Sequence, residues 1–94
     1  MIYRYFAPRG GWRLVVLFHQ GRKWLRLLDT STLDVYAVPH AELRHLRPAD
    51  ARPKALARRL AKRGTDWRRY GFRFSTQAVR AAIRSLRSAP GDTS

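Results

Sequence analysis

The sequence predicts an α+β fold: a small twisted antiparallel sheet of four to five strands, packed with two C-terminal helices. Three observations carry this. Short apolar, β-branched runs alternate with turn clusters as far as Pro48. Two later segments repeat apolar residues at helical spacing. The 94 residues suffice for one compact domain, with a β-rich half (1–48), a basic helical half packed on it (49–89) and a flexible tail (90–94).

Ile2 to Phe6 forms a first strand, and Ala7-Pro8-Arg9-Gly10-Gly11 breaks it. The stretch from Gly11 to Thr30 is the centre of the fold and reads as a hairpin. Leu14–Phe18 is an unbroken apolar run with Val15 and Val16 inside it, which favours a strand covered on both faces. Gly21 suits the turn because it can adopt a positive φ. In the returning strand Trp24, Arg26 and Leu28 share one face, and Leu25, Leu27 and Asp29 the other. Asp29-Thr30-Ser31-Thr32 is a turn cluster with short oxygen side chains. Leu33–Val38 is a further strand, Pro39 ends it, His40–Leu46 is a single helical turn, and Pro48 closes the half.

Lys54–Arg63 is helical, capped by Asp50 or opened by Pro53 in its first turn. Leu56 and Leu60 mark its apolar face, Arg59/Arg63 and Arg58/Lys62 two basic ridges, and Gly64 suits the C-terminal position. Thr65–Tyr70 offers one short turn carrying Trp67, and Tyr70–Phe74 a short strand. Ser75 caps a final helix to Ser88. There Val79, Ala82, Ile83 and Leu86 form the apolar stripe, and Arg80, Arg84 and Arg87 face away. This helix, with the Leu56–Leu60 face, is expected to cover the central hairpin.

Residues 10–48 resemble the small SH3-like barrels, including KOW and Tudor-type modules. The resemblance rests on the apolar strand Leu14–Phe18, the Gly21 turn, the strand opening on Trp24, the Asp29–Thr32 turn, the strand Val35–Val38 and the short helical turn Ala41–Leu46. It implies five strands and binding of nucleic acid or peptides. Four strands precede Pro39, so Tyr70–Phe74 is the expected fifth. Separately, STQAVRAAIRSL resembles the recognition helix of helix-turn-helix proteins. The eleven residues Gly64–Phe74 stand where that motif has a turn of about 3–4 residues, so an amphipathic helix packed on the sheet is the preferred reading.

Charge narrows the function. Lys+Arg is 20 against 6 Asp+Glu, a net charge of +14, and 17 of the cations are Arg. A GC-rich genome accounts for Arg over Lys but not for the shortage of acids. Such a field attracts polyanions, nucleic acid first, then acidic proteins or anionic membrane. Residues 1–48 carry 8 cations and 3 acids, and residues 49–94 carry 12 and 3, so the second half is the stronger phosphate-binding candidate. Cations interleave with aromatics at Arg22-Lys23-Trp24-Arg26 and at Trp67-Arg68-Arg69-Tyr70 with Arg73. There cations can hold phosphates while a ring stacks on a base. The expected nucleic-acid-binding residues are Arg22, Lys23, Trp24, Arg26, Arg58, Arg59, Lys62, Arg63, Arg68, Arg69, Arg73, Arg80, Arg84 and Arg87. DNA is favoured over RNA through the helix resemblance, and an accessory protein of a phage or mobile element would suit the size and composition.

The residues for catalysis are sparse. His40 and His45 are five apart, unlike the i, i+4 pair of a helical zinc site, and no two acids have a spacing that demands acid–base work. The expectation is no enzyme, no metal and no cofactor. The alternatives are a protein-interaction module docking on an acidic face of a nucleoprotein complex and, behind it, a small basic ribonuclease using His19 with Arg22 or Arg26. With no cysteine, no span of apolar residues long enough for a bilayer and no signal-peptide core at the N-terminus, the expected setting is cytoplasmic, without membrane association, as a monomer or homodimer.

Overall fold

The computed structural model describes residues 1–8, 10–64 and 76–88. Five strands form one antiparallel sheet in the order β4-β3-β2-β1-β5. They are β1 (Ile2–Ala7), β2 (Gly11–Gln20), β3 (Trp24–Asp29), β4 (Val35–Pro39) and β5 (Arg47–Pro48), with a 3₁₀ turn at His40–His45 between the last two. Among the described residues two helices follow, α1 (Pro53–Gly64) and α2 (Thr76–Arg87). The α+β architecture is therefore as the sequence implies. α2 lies on β2 and β3, and α1 packs against α2.

The unbroken apolar run is covered on both faces, as its lack of alternation requires. Val16 joins Ile2, Leu28 and Leu33 beneath Leu56, Leu60, Val79 and Leu86 of the helices. Val15 points the other way, into a second core with Leu25, Leu27, Val38 and Leu46. Leu60, Leu86, Val15 and Val16 are fully buried, each contributing about 1.5–3 kcal/mol. Ile83 is half-buried at the rim of the helix-side core.

Several local expectations are corrected. The positive φ assigned to Gly21 occurs at Gly11 (φ 68°), where β1 turns into β2 and Ala7 pairs with Gly11. Gly21 is needed for space instead, since a Cβ there would stand 3.1 Å from the Trp24 carbonyl oxygen. The fourth strand begins at Val35, not Leu33. Leu33 takes a left-handed conformation (φ 63°), donates its N–H to the Asp29 carbonyl at 2.9 Å and buries its side chain under the helices. That conformation costs a leucine about 1–2 kcal/mol, and the burial offsets it. A fifth strand is present at Arg47–Pro48, paired with β1. The strand expected at Tyr70–Phe74 lies outside the described residues, as do the Thr65–Tyr70 turn, the Ser75 cap and the tail. Of the two starts offered for α1, Pro53 is the one used: the Arg52 carbonyl accepts the first helical bond from Leu56, and Asp50 stays outside the helix.

No helix among the described residues is long and apolar enough to cross a membrane.

Candidate nucleic-acid interface

The β2–β3 connection presents the first predicted cluster. Pairing of Gln20 with Leu25 leaves Arg22 and Lys23 at the hairpin tip, both exposed. Trp24, opening β3, is 55% exposed, far outside a core position. Arg26 follows on the same face, opposite His19 of β2 and Ala37 of β4. His19 reaches that face because the β2–β3 register shifts between Leu17 and His19, with Phe18 as the extra residue. Arg22, Lys23, Trp24, Arg26 and His19 together line a groove of about 400 Å³. The second strand of the sheet thus brings His19 to the cations with which the ribonuclease alternative paired it.

The helices present a second surface. Arg58, Arg59 and Lys62 of α1 and Arg80, Arg84 and Arg87 of α2 are exposed. Arg58 and Arg87 meet across the two helices with Lys54, lining a depression of about 480 Å³. Ala78, Val79, Ala82 and Leu86 of α2 are buried, so its apolar and cationic stripes separate as the 3.6-residue period requires. Among the described residues no carboxylate pairs with Arg22, Lys23, Arg26, Arg58, Arg59, Arg80, Arg84 or Arg87.

Arg63 is placed differently from the other cations of α1. Its guanidinium donates to the Thr30 carbonyl and is half-buried, so it ties the end of α1 to the β3–β4 turn rather than extending a basic ridge into solvent. Arg68, Arg69 and Arg73, with Trp67 and Tyr70, lie outside the described residues.

Asp29 is fully buried and internal to the fold. Its Oδ1 accepts from the Ser31 and Thr32 N–H groups at 2.8 and 3.2 Å, and its Oδ2 accepts from the Tyr36 hydroxyl at 3.0 Å. Arg13 Nε stands 3.2 Å from Oδ2, an ion-pair contact that is not aligned as a hydrogen bond. Burial, followed by the hydrogen bond to Asp29, raises the Tyr36 hydroxyl above its ordinary pKa; Arg13 opposes this. No group of three His, Asp or Glu among the described residues is placed to hold a metal ion.

One cluster was not anticipated. Phe6 and Trp12 face each other across β1 and β2, 61% and 52% exposed, their ring centroids 5.3 Å apart and edge to face. The Arg47 guanidinium lies 5.3 Å from the Trp12 ring centroid. Strand alternation gives the signal that could have found it: Ile2, Arg4 and Phe6 share a face, as do Trp12, Leu14 and Val16. Pairing of Ala7 with Gly11 then sets Phe6 opposite Trp12. No family model, curated protein or solved structure matches the chain.

Proposed function

We propose that this protein binds nucleic acid without catalysis, holding mainly the phosphate backbone and reading shape rather than a strict sequence. The observation that carries the reading is the set of exposed arginines on α1, α2 and the hairpin tip, which no described carboxylate neutralises. Guanidinium groups suit phosphate because their planar donors match its oxygens in pairs. DNA comes ahead of RNA on the likeness of α2 to a recognition helix. The five strands with a 3₁₀ turn before the last are in keeping with an SH3-like barrel, whose members often bind such ligands. An absence of cysteine suits a cytoplasmic setting, and the size suits an accessory role in a phage or mobile element.

The second reading, a protein-interaction module, draws on a different feature. β4 is an edge strand with Val35 39% exposed. Beside it Phe18, Val35, Ala78 and Ala81 line a cleft of about 340 Å³ between sheet and α2. An edge strand can accept another strand, from a partner or from a second copy.

A salt series separates the two. If about six cations meet phosphates of a duplex, log K falls with log salt at a slope near −5. Purified protein should bind random duplex DNA at micromolar affinity or tighter in low salt and lose it steeply by moderate salt. A flat response discards the electrostatic reading, and no binding at low salt favours the protein-interaction module.

A further inference from the structure

We propose that the Phe6–Trp12–Arg47 end of the sheet is a second contact site, one that takes an unpaired base of single-stranded nucleic acid on the Trp12 ring. The inference rests on the nucleic-acid reading above and names the form of nucleic acid that this surface takes.

Every large hydrophobic side chain that is exposed among the described residues lies on one face of the sheet. Phe6 and Trp12 are paired in register, Trp12 alternates with Leu14 and Val16, and Trp24 and Val35 belong to the rows of Leu28 and its partners. Ile2, Val16 and Leu28 are strand residues of this face that the helices bury. The helices therefore cover the middle of the face and leave an indole at each end. Neither ring is core, and a phosphate contact needs no ring.

The chemistry around Trp12 fits a nucleotide. Arg4 and Arg47 stand opposite each other on β1 and β5, both exposed, and no described carboxylate pairs with either. With Trp12, Leu14 and Asp50 they line a groove of about 430 Å³, within the about 300–1,000 Å³ of small-ligand clefts. Two guanidinium groups can hold phosphate, and the indole, 52% exposed with Arg47 5.3 Å from its centroid, is the ring on which a base stacks. Asp50 is an acceptor that repels phosphate, so the backbone runs by the arginines and the edge of the base faces the carboxylate. In a duplex the base faces are already stacked on one another, so only a single strand, or a frayed end, can use the ring.

The test is fluorescence anisotropy of the full chain with a labelled oligothymidylate and with a labelled random duplex, over a salt series. Trp12→Ala should weaken single-strand binding about tenfold, change duplex binding less than about twofold and leave both salt slopes alone, because no charge is removed. Trp12→Phe should recover most of the loss. Arg47→Ala should lower the single-strand salt slope by about 0.7. Unchanged single-strand affinity in Trp12→Ala, or equal losses on both ligands, overturns the proposal while leaving the nucleic-acid reading in place. If the unmodified protein binds neither ligand at low salt, that reading falls and this one with it. Trp12→Phe keeps an aromatic ring at the site and Arg47 sits on a two-residue edge strand, so these variants carry the test should Trp12→Ala unfold.

Discussion

Asp29 concentrates on one carboxylate the bonds that close the β3–β4 turn, and its neighbour Tyr36 gives that arrangement a pH dependence. Burial first, then the hydrogen bond to Asp29 and its charge, favour the protonated phenol in the fold. A group whose folded pKa is raised contributes fully below its unfolded value, about pH 10 for tyrosine, and loses the contribution as pH climbs through the folded value. Urea midpoints measured from neutral to strongly alkaline pH should fall above about pH 10. Tyr36→Phe should cost about 1 kcal/mol at neutral pH and flatten the alkaline limb. Some slope should remain from Tyr5, raised by burial and then by the charge of Glu42. An identical limb in Tyr36→Phe would refute the assignment. At this scale the sequence was partly legible. Asp29 was recognisable as a turn residue from the Ser/Thr cluster after it, and Trp24 as exposed from sharing a face with Arg26. The burial of Asp29 was not, because it depends on Arg13 and Tyr36 arriving from two other strands. The exposure of Trp12 has no local signature, because it depends on where the helices stop.

At the scale of elements, legibility followed length and period. α2 could be read because three turns repeat one apolar stripe, and β2 because five apolar residues in a row demand two covers. β5 could not, since a strand of two residues has no alternation to detect. Nor could the left-handed Leu33, whose conformation is set by the core that its side chain enters. Arg63 belongs here too. By sequence it is one cation among several on α1, yet its hydrogen bond to the Thr30 carbonyl joins the helix to the sheet 33 positions away. Arg63→Ala should therefore cost about 1.5–3 kcal/mol, the range for a hydrogen bond from a charged donor, as read by denaturant unfolding. It should leave the salt slope of nucleic-acid binding nearly unchanged. A neutral effect on stability with a slope reduced by about 0.9 would instead return Arg63 to the phosphate-binding set.

For the whole molecule the decisive property is the separation of grease from charge, and α2 makes it testable. Val79 and Leu86 belong to the core, whereas Arg80, Arg84 and Arg87 face solvent on the same helix. Replacing the three arginines with alanine removes charge without touching the core, and alanine is the strongest helix former, so the thermal midpoint should hold or rise. If all three meet phosphates of a duplex, the magnitude of the salt slope should drop by about 2.7. The way the loss distributes over sequences then distinguishes two roles. Arginines resting along the backbone weaken binding equally on every duplex, whereas an arginine paired to guanine in the major groove contributes about 1–3 kcal/mol at that base and loses selectivity when removed. With no described contact fixing these side chains in one orientation, the uniform loss is the expected outcome, measured by competition between duplexes of different composition. A slope that does not change would move the phosphate contacts off α2, toward α1 and the hairpin tip.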